Sequence, residues 1–198
     1  VIDWSISLKQ RADYYAQRFP DWPAPRADDR WIDGVWVLGN NYKGAPMYGT
    51  YPPNYLARAL SLFPEATSVL HLFSGTMVRP LGWPPVWVSM DLRRTPPVSP
   101  LVQGDATRAP FAPGSFDLVV ADPPYSAEDA TRYGTPMVDR AKVFRDAYRY
   151  VQPGGVMIWL DCSHPMRRKD QWHFFGVFGI VRSTNHRYRA ATFYRREP

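Results

Sequence analysis

Cysteine is almost missing from this chain: Cys162 stands alone among 198 residues. One cysteine excludes an internal disulfide framework and any multi-cysteine structural zinc site, and it matches a reducing, cytoplasmic setting. The four histidines show no metal-ligand spacing, so no metal is expected. No apolar run approaches the ~18 residues that a membrane-spanning helix needs. Val1-Ile2-Asp3-Trp4 offers neither a basic segment nor an apolar one, so no secretory signal is expected. Internal repeats and low-complexity tracts are missing too. A chain of this length builds a sizeable core, most simply as one domain with an appendage.

Two things are abundant. Proline occurs 21 times, about twice ordinary usage, which argues against an all-helical bundle. With 15% aromatic residues there is still plenty to bury, so the prolines do not signal disorder. The net charge of +6 is the second feature, and it is uneven. Residues 164–198 carry 8 basic and 2 acidic side chains, while the rest of the chain is close to balanced. Such a stretch reads either as an electrostatic footprint for a polyanion or as a solubilising surface.

Apolar periodicity predicts a helix over Leu8–Phe19, closed by Pro20, and a short strand within 31–38. Pro52-Pro53 opens a second helix whose stripe is Tyr55, Leu56, Ala59, Leu60 and Phe63. Five buried strands follow, at 69–73, 86–90, 101–103, 116–121 and 155–160, each ending in a polar or glycine residue. A strong helix over Met137–Val151 precedes the fifth and is expected to stop at Pro153-Gly154-Gly155. Gly176–Arg182 and Arg189–Arg195 read as a final hairpin. Strands with polar carboxyl ends belong to open parallel α/β sheets, where ligands bind beyond those ends.

The most informative segment is Asp122-Pro123-Pro124-Tyr125, closing the fourth of these strands. An exocyclic amine is a weak nucleophile because its lone pair is delocalised into the ring. A carboxylate and a backbone carbonyl aimed at it hold the nitrogen in line and stabilise the positive charge that develops there. The prolines stiffen the loop, and the aromatic ring offers a stacking face for an extruded base. Upstream stand Leu72-Phe73-Ser74-Gly75, Asp91-Leu92 and Gly104-Asp105-Ala106 at the ends of the first three strands.

In these residues and their order, positions 45–198 resemble the class I S-adenosylmethionine-dependent methyltransferases that act on exocyclic amines. The Asp-Pro-Pro-Tyr form within that group is most associated with adenine N6 in DNA. The resemblance implies an α/β, Rossmann-like fold with a seven-stranded, mostly parallel sheet and an antiparallel last strand. It implies S-adenosylmethionine as cofactor, held by Leu72, Phe73, Ser74, Gly75, Asp91, Leu92, Asp105 and Ala106. Tyr51-Pro52-Pro53-Asn54-Tyr55 is similar to the upstream cofactor motif, in the γ-like motif order, which adds Tyr51. Asp122 and the Pro123 carbonyl would accept from the amine, with Pro124 shaping the loop and Tyr125 stacking on the base. Lys43, the run Arg167-Arg168-Lys169, and Asn185-His186-Arg187 are the candidate contacts to substrate, expected on the active side of the sheet.

Two departures from the family pattern stand out. The links at 75–85 and 93–100 are short and proline-rich, so one sheet face is expected to be helix-poor. Residues 1–45 are expected to form an N-terminal extension packing on a methyltransferase domain at 46–198; a second subunit is the other candidate for cover. No module for target recognition is visible. The motif and the basic tail make nucleic acid the expected partner, DNA first, and the missing module keeps RNA or single strands open; no membrane is expected. Monomer and homodimer are both open. The alternatives are cytosine N4, an RNA amine, or a catalytically idle protein of the same fold that binds nucleic acid or a partner subunit.

Overall fold

The computed structural model describes residues 1–39, 51–77, 84–94, 100–182 and 188–198. Along the chain run α1 (Leu8–Arg18), β1 (Arg26–Ala27), β2 (Ile32–Leu38), α2 (Tyr55–Ser61), β3 (Ser68–Leu72), β4 (Val86–Asp91) and β5 (Val102–Gln103). Then come β6 (Phe116–Ala121), α3 (Ala127–Tyr133), α4 (Arg140–Tyr150), β7 (Val151–Asp161), β8 (Trp172–Arg182) and β9 (Arg189–Arg196). A single sheet takes them in the order β1-β2-β8-β9-β7-β6-β3-β4-β5. The pairs among β3 to β7 are parallel, and β9 runs antiparallel between β7 and β8.

Among the described residues the sheet has nine strands, where seven were expected. The additional two come from the N-terminal region. Ile32–Leu38 pairs in parallel with β8, and Arg26–Ala27 folds back on it. The alternation of Ile32, Trp36 and Leu38 with the exposed Val35 and Val37 suits a strand next to the short edge strand β1, with one buried face.

The same region supplies helical cover. α1 begins with a reciprocal cap: Gln10 N donates to Ser7 Oγ (3.2 Å) and Ser7 N to Gln10 Oε1 (2.8 Å). Its buried Leu8, Ala12 and Tyr15 join Tyr55, Leu56 and Ala59 of α2 over Val69, Leu118, Val120 and Ile158. The opposite face is closed by Val143, Phe144, Ala147 and Tyr150 of α4 against Leu70, Val119, Met157 and Trp159. Most of the proline-rich links from β3 to β4 and from β4 to β5, at 78–83 and 95–99, lies outside the described residues.

α4 starts later than the sequence suggested, because Asp139 caps it by accepting from Lys142 N (3.0 Å). Pro153-Gly154-Gly155 does not end that helix. The chain passes straight into β7 at Val151, and these residues form an irregularity within the strand, with Gly154 at φ +75°. α3 was not foreseen. Ser126 caps it by accepting from Asp129 N (3.2 Å), and Gly134, at φ +63°, stops it. Among the described residues, no helix is long and apolar enough to cross a membrane, and no group of three potential metal ligands occurs.

Candidate active site

From β3 the chain moves outward through β4 to β5, then returns to place β6 on the other side of β3. The strand order thus reverses between β3 and β6. A crevice at the carboxyl ends of those two strands is where an open α/β sheet binds its ligand. β3 delivers Phe73-Ser74-Gly75 there, β6 delivers Asp122-Pro123-Pro124-Tyr125, β4 delivers Asp91 and β7 delivers Asp161.

Asp122 is half-buried, and the Tyr125 hydroxyl donates to its Oδ1. Desolvation pushes the Asp122 carboxyl up to about 7, against the opposing effects of the Tyr125 hydrogen bond and the positive charge of Arg189. The Arg189 guanidinium lies over the Tyr125 ring, 4.9 Å from its centroid.

The loop is held from below. Arg140, first residue of α4, donates from Nε to Asp161 Oδ2 (2.6 Å) and from Nη2 to Asp161 Oδ1 (3.3 Å). The same Nη2 reaches the carbonyls of Tyr125 (3.2 Å) and Pro124 (3.4 Å). Asp161 is buried and also accepts from Trp159 Nε1 (3.1 Å) and Cys162 N (2.7 Å). A fully engaged carboxylate of this kind fixes the guanidinium, which in turn fixes the motif backbone.

The cofactor side is built on backbone conformation. Phe73 (φ +57°) and Gly75 (φ +53°) both lie in the left-handed region, where a non-glycine residue is strained. Gly75 N donates to Asp91 Oδ2 (2.9 Å) and Arg93 N to Asp91 Oδ1 (3.0 Å). A carboxylate offers about four lone-pair positions, so acceptor capacity remains on Asp91. Ser74 Oγ, Thr76 Oγ1 and Tyr51 Oη are buried without a hydrogen-bond partner. Orphaned polar atoms at a glycine turn fit a polar cofactor laid across the ends of β3 and β4.

Leu72 is wholly core, so only its backbone is left to serve a ligand. Leu92 is exposed beyond β4. Asp105 caps the turn 106–108, accepting from Thr107 N (2.8 Å), and those bonds hold its carboxyl below the usual range. Ala106 is buried with the α4-side core. Tyr51 stacks on Tyr55, with centroids 4.9 Å apart, and lies against His71. Burial pushes His71 down to about 3, so that ring is neutral.

Only part of the candidate substrate set falls within the described residues. Lys43, Asn185, His186 and Arg187 lie outside the described residues. The run Arg167-Arg168-Lys169, expected beside the active edge, lies away from it. After β7 the chain returns across the sheet, and Trp172 N, at the start of β8, donates to the Arg168 carbonyl (3.0 Å). Arg168 thus sits at the amino-terminal edge, the length of an 11-residue strand from the carboxyl edge, about 33 Å.

Among the described residues, several arginines of the tail are engaged with rings or acids. Arg167 packs over Phe174 and Tyr194 (5.2 Å each), and Arg168 pairs with Asp170 (2.6 Å). Arg195 lies over Trp4 (4.7 Å) and Arg196 over Tyr148 (4.3 Å). Sequence reasoning missed Arg140 and Arg189, because nothing in their local pattern distinguishes them. Asp161 carried a signal, an acid closing a buried strand, but its role depends on α4.

A family profile described as Methyltransferase domain matches residues 87–159, which covers β4 through most of β7. Among solved structures, the chain is similar to TrmN from Thermus thermophilus, with a TM-score of 0.54 and 14% identity over 76% of this chain. The fold is that of the class I methyltransferases. The chain spans about half the length of that protein, 51%. A trans-methyltransferase, CalH, in complex with SAH gives a TM-score of 0.40 at 14% identity, over 66% of this chain and 51% of that one. A putative methyltransferase from Bacillus halodurans C-125 gives 0.30 at 23% identity, over 50% and 41%. Comparison with curated proteins finds no match. The domain match and the fold support a methyltransferase that uses S-adenosylmethionine.

Proposed function

We propose that this chain transfers a methyl group from S-adenosylmethionine to an exocyclic amine of a nucleobase, adenine N6 in DNA first, in the cytoplasm. The observation that carries the reading is Asp122-Pro123-Pro124-Tyr125 at the strand-order reversal, with its backbone pinned by Arg140. When bound, S-adenosylmethionine supplies an electrophilic methyl carbon with S-adenosylhomocysteine as leaving group. The chain's own residues do the rest. Asp122 accepts one amine N–H, displacing the Tyr125 hydroxyl, and the Pro123 carbonyl accepts the other. This aims the nitrogen lone pair at the methyl carbon. As the N–C bond forms, positive charge on nitrogen is stabilised by the carboxylate. A carboxyl raised to about 7 is also suited to take the proton that the nitrogen must lose.

Gly75, Asp91 and the hydroxyls of Ser74 and Thr76 would hold the cofactor. Asp105 and Tyr51 would border it. Cytosine N4 and RNA amines present the same donor group to Asp122, and an idle binding protein would take up the cofactor without transfer. Labelled methyl transfer to DNA and RNA, followed by nucleoside analysis, separates these outcomes.

A further inference from the structure

Arg189 opens β9 opposite Ile180, one position before Ala190, the partner of Asp161. By strand alternation its side chain shares the face of Ala191 and Phe193, beneath α1 and α2. It is only 9% exposed. Nε is buried without a hydrogen-bond partner. Among the described residues, Arg189 forms no ion pair of the kind that holds Arg140. A buried cation is costly unless something compensates it. What faces this one is the ring of Tyr125 and the charge of Asp122.

The groups around Asp122 come from every neighbouring element. Tyr51 and Tyr55 on the α2 side, Tyr133 of α3, Asp161 of β7, Arg182 of β8 and Arg189 of β9 all interact electrostatically with it. The two arginines are the cations of that set, and Arg189 has the larger influence. Its contact with Tyr125, itself bonded to Asp122, gives it leverage on both.

We propose that Arg189 is a positioning residue of the methyl-transfer site: its guanidinium holds the Tyr125 ring and sets a positive charge against Asp122, so that the carboxylate faces the incoming amine as an acceptor. This rests on the amine-transfer reading above. Arg189→Met removes the charge and keeps much of the volume, Arg189→Lys keeps the charge without the planar stack, and Arg189→Gln is a second neutral variant.

Two quantities are measured on each variant: the pH profile of kcat/KM, and the titration of Asp122 by carboxyl ¹³C resonance without substrate. Unchanged cofactor affinity by calorimetry establishes folding. Met and Gln are expected to raise the Asp122 midpoint and the acidic limb of the profile together, by about one pH unit. Lys is expected to keep both near wild type while raising KM. A Met or Gln variant with an unmoved midpoint, or a Lys variant shifted as far as Met, overturns the proposal. If the wild type methylates no nucleobase, the functional reading fails, while the carboxyl titration still decides the role of Arg189.

Discussion

The Arg140 guanidinium and the Asp161 carboxylate form a two-bond pair, Nε to Oδ2 at 2.6 Å and Nη2 to Oδ1 at 3.3 Å, directly beneath the motif loop. Because the same Nη2 carries the Pro124 and Tyr125 carbonyls, the pair joins α4 and β7 to the loop. Arg140→Met should leave cofactor affinity within about twofold and lower kcat by about 10- to 100-fold, since loop geometry sets the line of attack. Asp161→Ala should unfold at lower denaturant, with a loss of about 3–5 kcal/mol, because it strands a mostly buried guanidinium. Equal losses of cofactor affinity and of kcat in Arg140→Met would contradict the positioning role.

Asp122 predicts a pH dependence in two readouts. Its folded pKa of about 7 lies above the ordinary carboxyl value, so between pH 4 and 7 the folded state holds a proton that the unfolded state has released. Stability contributed by this group is present below the unfolded value and is lost as pH rises through 7. Asp122→Asn should therefore melt higher than wild type at pH 8.5, with the difference vanishing near pH 4. Transfer by wild type should rise as pH passes 7, while Asp122→Asn retains cofactor binding and loses nearly all transfer. A melting difference that is constant with pH would refute the shifted carboxyl.

On the cofactor side, Gly75→Ala places a side chain at φ +53° and should destabilise the chain by about 1 kcal/mol while weakening cofactor binding. Asp91→Asn keeps an acceptor for Gly75 N but loses the charge, and should weaken cofactor binding by about 10-fold. Calorimetric titration checks both. An unchanged affinity in Asp91→Asn would remove Asp91 from the cofactor site.

The basic tail now carries the opposite prediction to the one its sequence invites. Arg168→Gln with Lys169→Gln should leave both methyl transfer and the salt dependence of nucleic-acid binding unchanged, since Arg168 sits at the far edge and is paired with Asp170. Arg167→Ala should instead lower the melting temperature, through its lost contacts with Phe174 and Tyr194. A flattened salt slope in the double variant would place the run in contact with phosphate.

Much of the sheet was legible because its strands are short apolar runs with polar ends, a pattern local in sequence. The loop of Asp122 was legible for the same reason, since four consecutive residues carry it. What was hidden depends on meetings across the chain. The pairing of 32–38 with β8 joins segments more than 140 residues apart, and nothing in either names the other. Asp161 and Arg140 each read as an ordinary polar residue until α4 lays one over the other. The placement of the tail's cations was hidden because a count of arginines does not show which ones lie over aromatic rings; among the described residues Arg167, Arg189, Arg195 and Arg196 do.

The central claim is amine transfer at Asp122, and the direct measurement is labelled methyl transfer from S-adenosylmethionine to duplex DNA, single-stranded DNA and RNA, each digested to nucleosides. The label should appear on an exocyclic base amine, N6-methyladenine first, and disappear with Asp122→Ala while cofactor binding persists. Cofactor binding without transfer to any base amine, or label that survives in Asp122→Ala within about threefold of wild type, would contradict it.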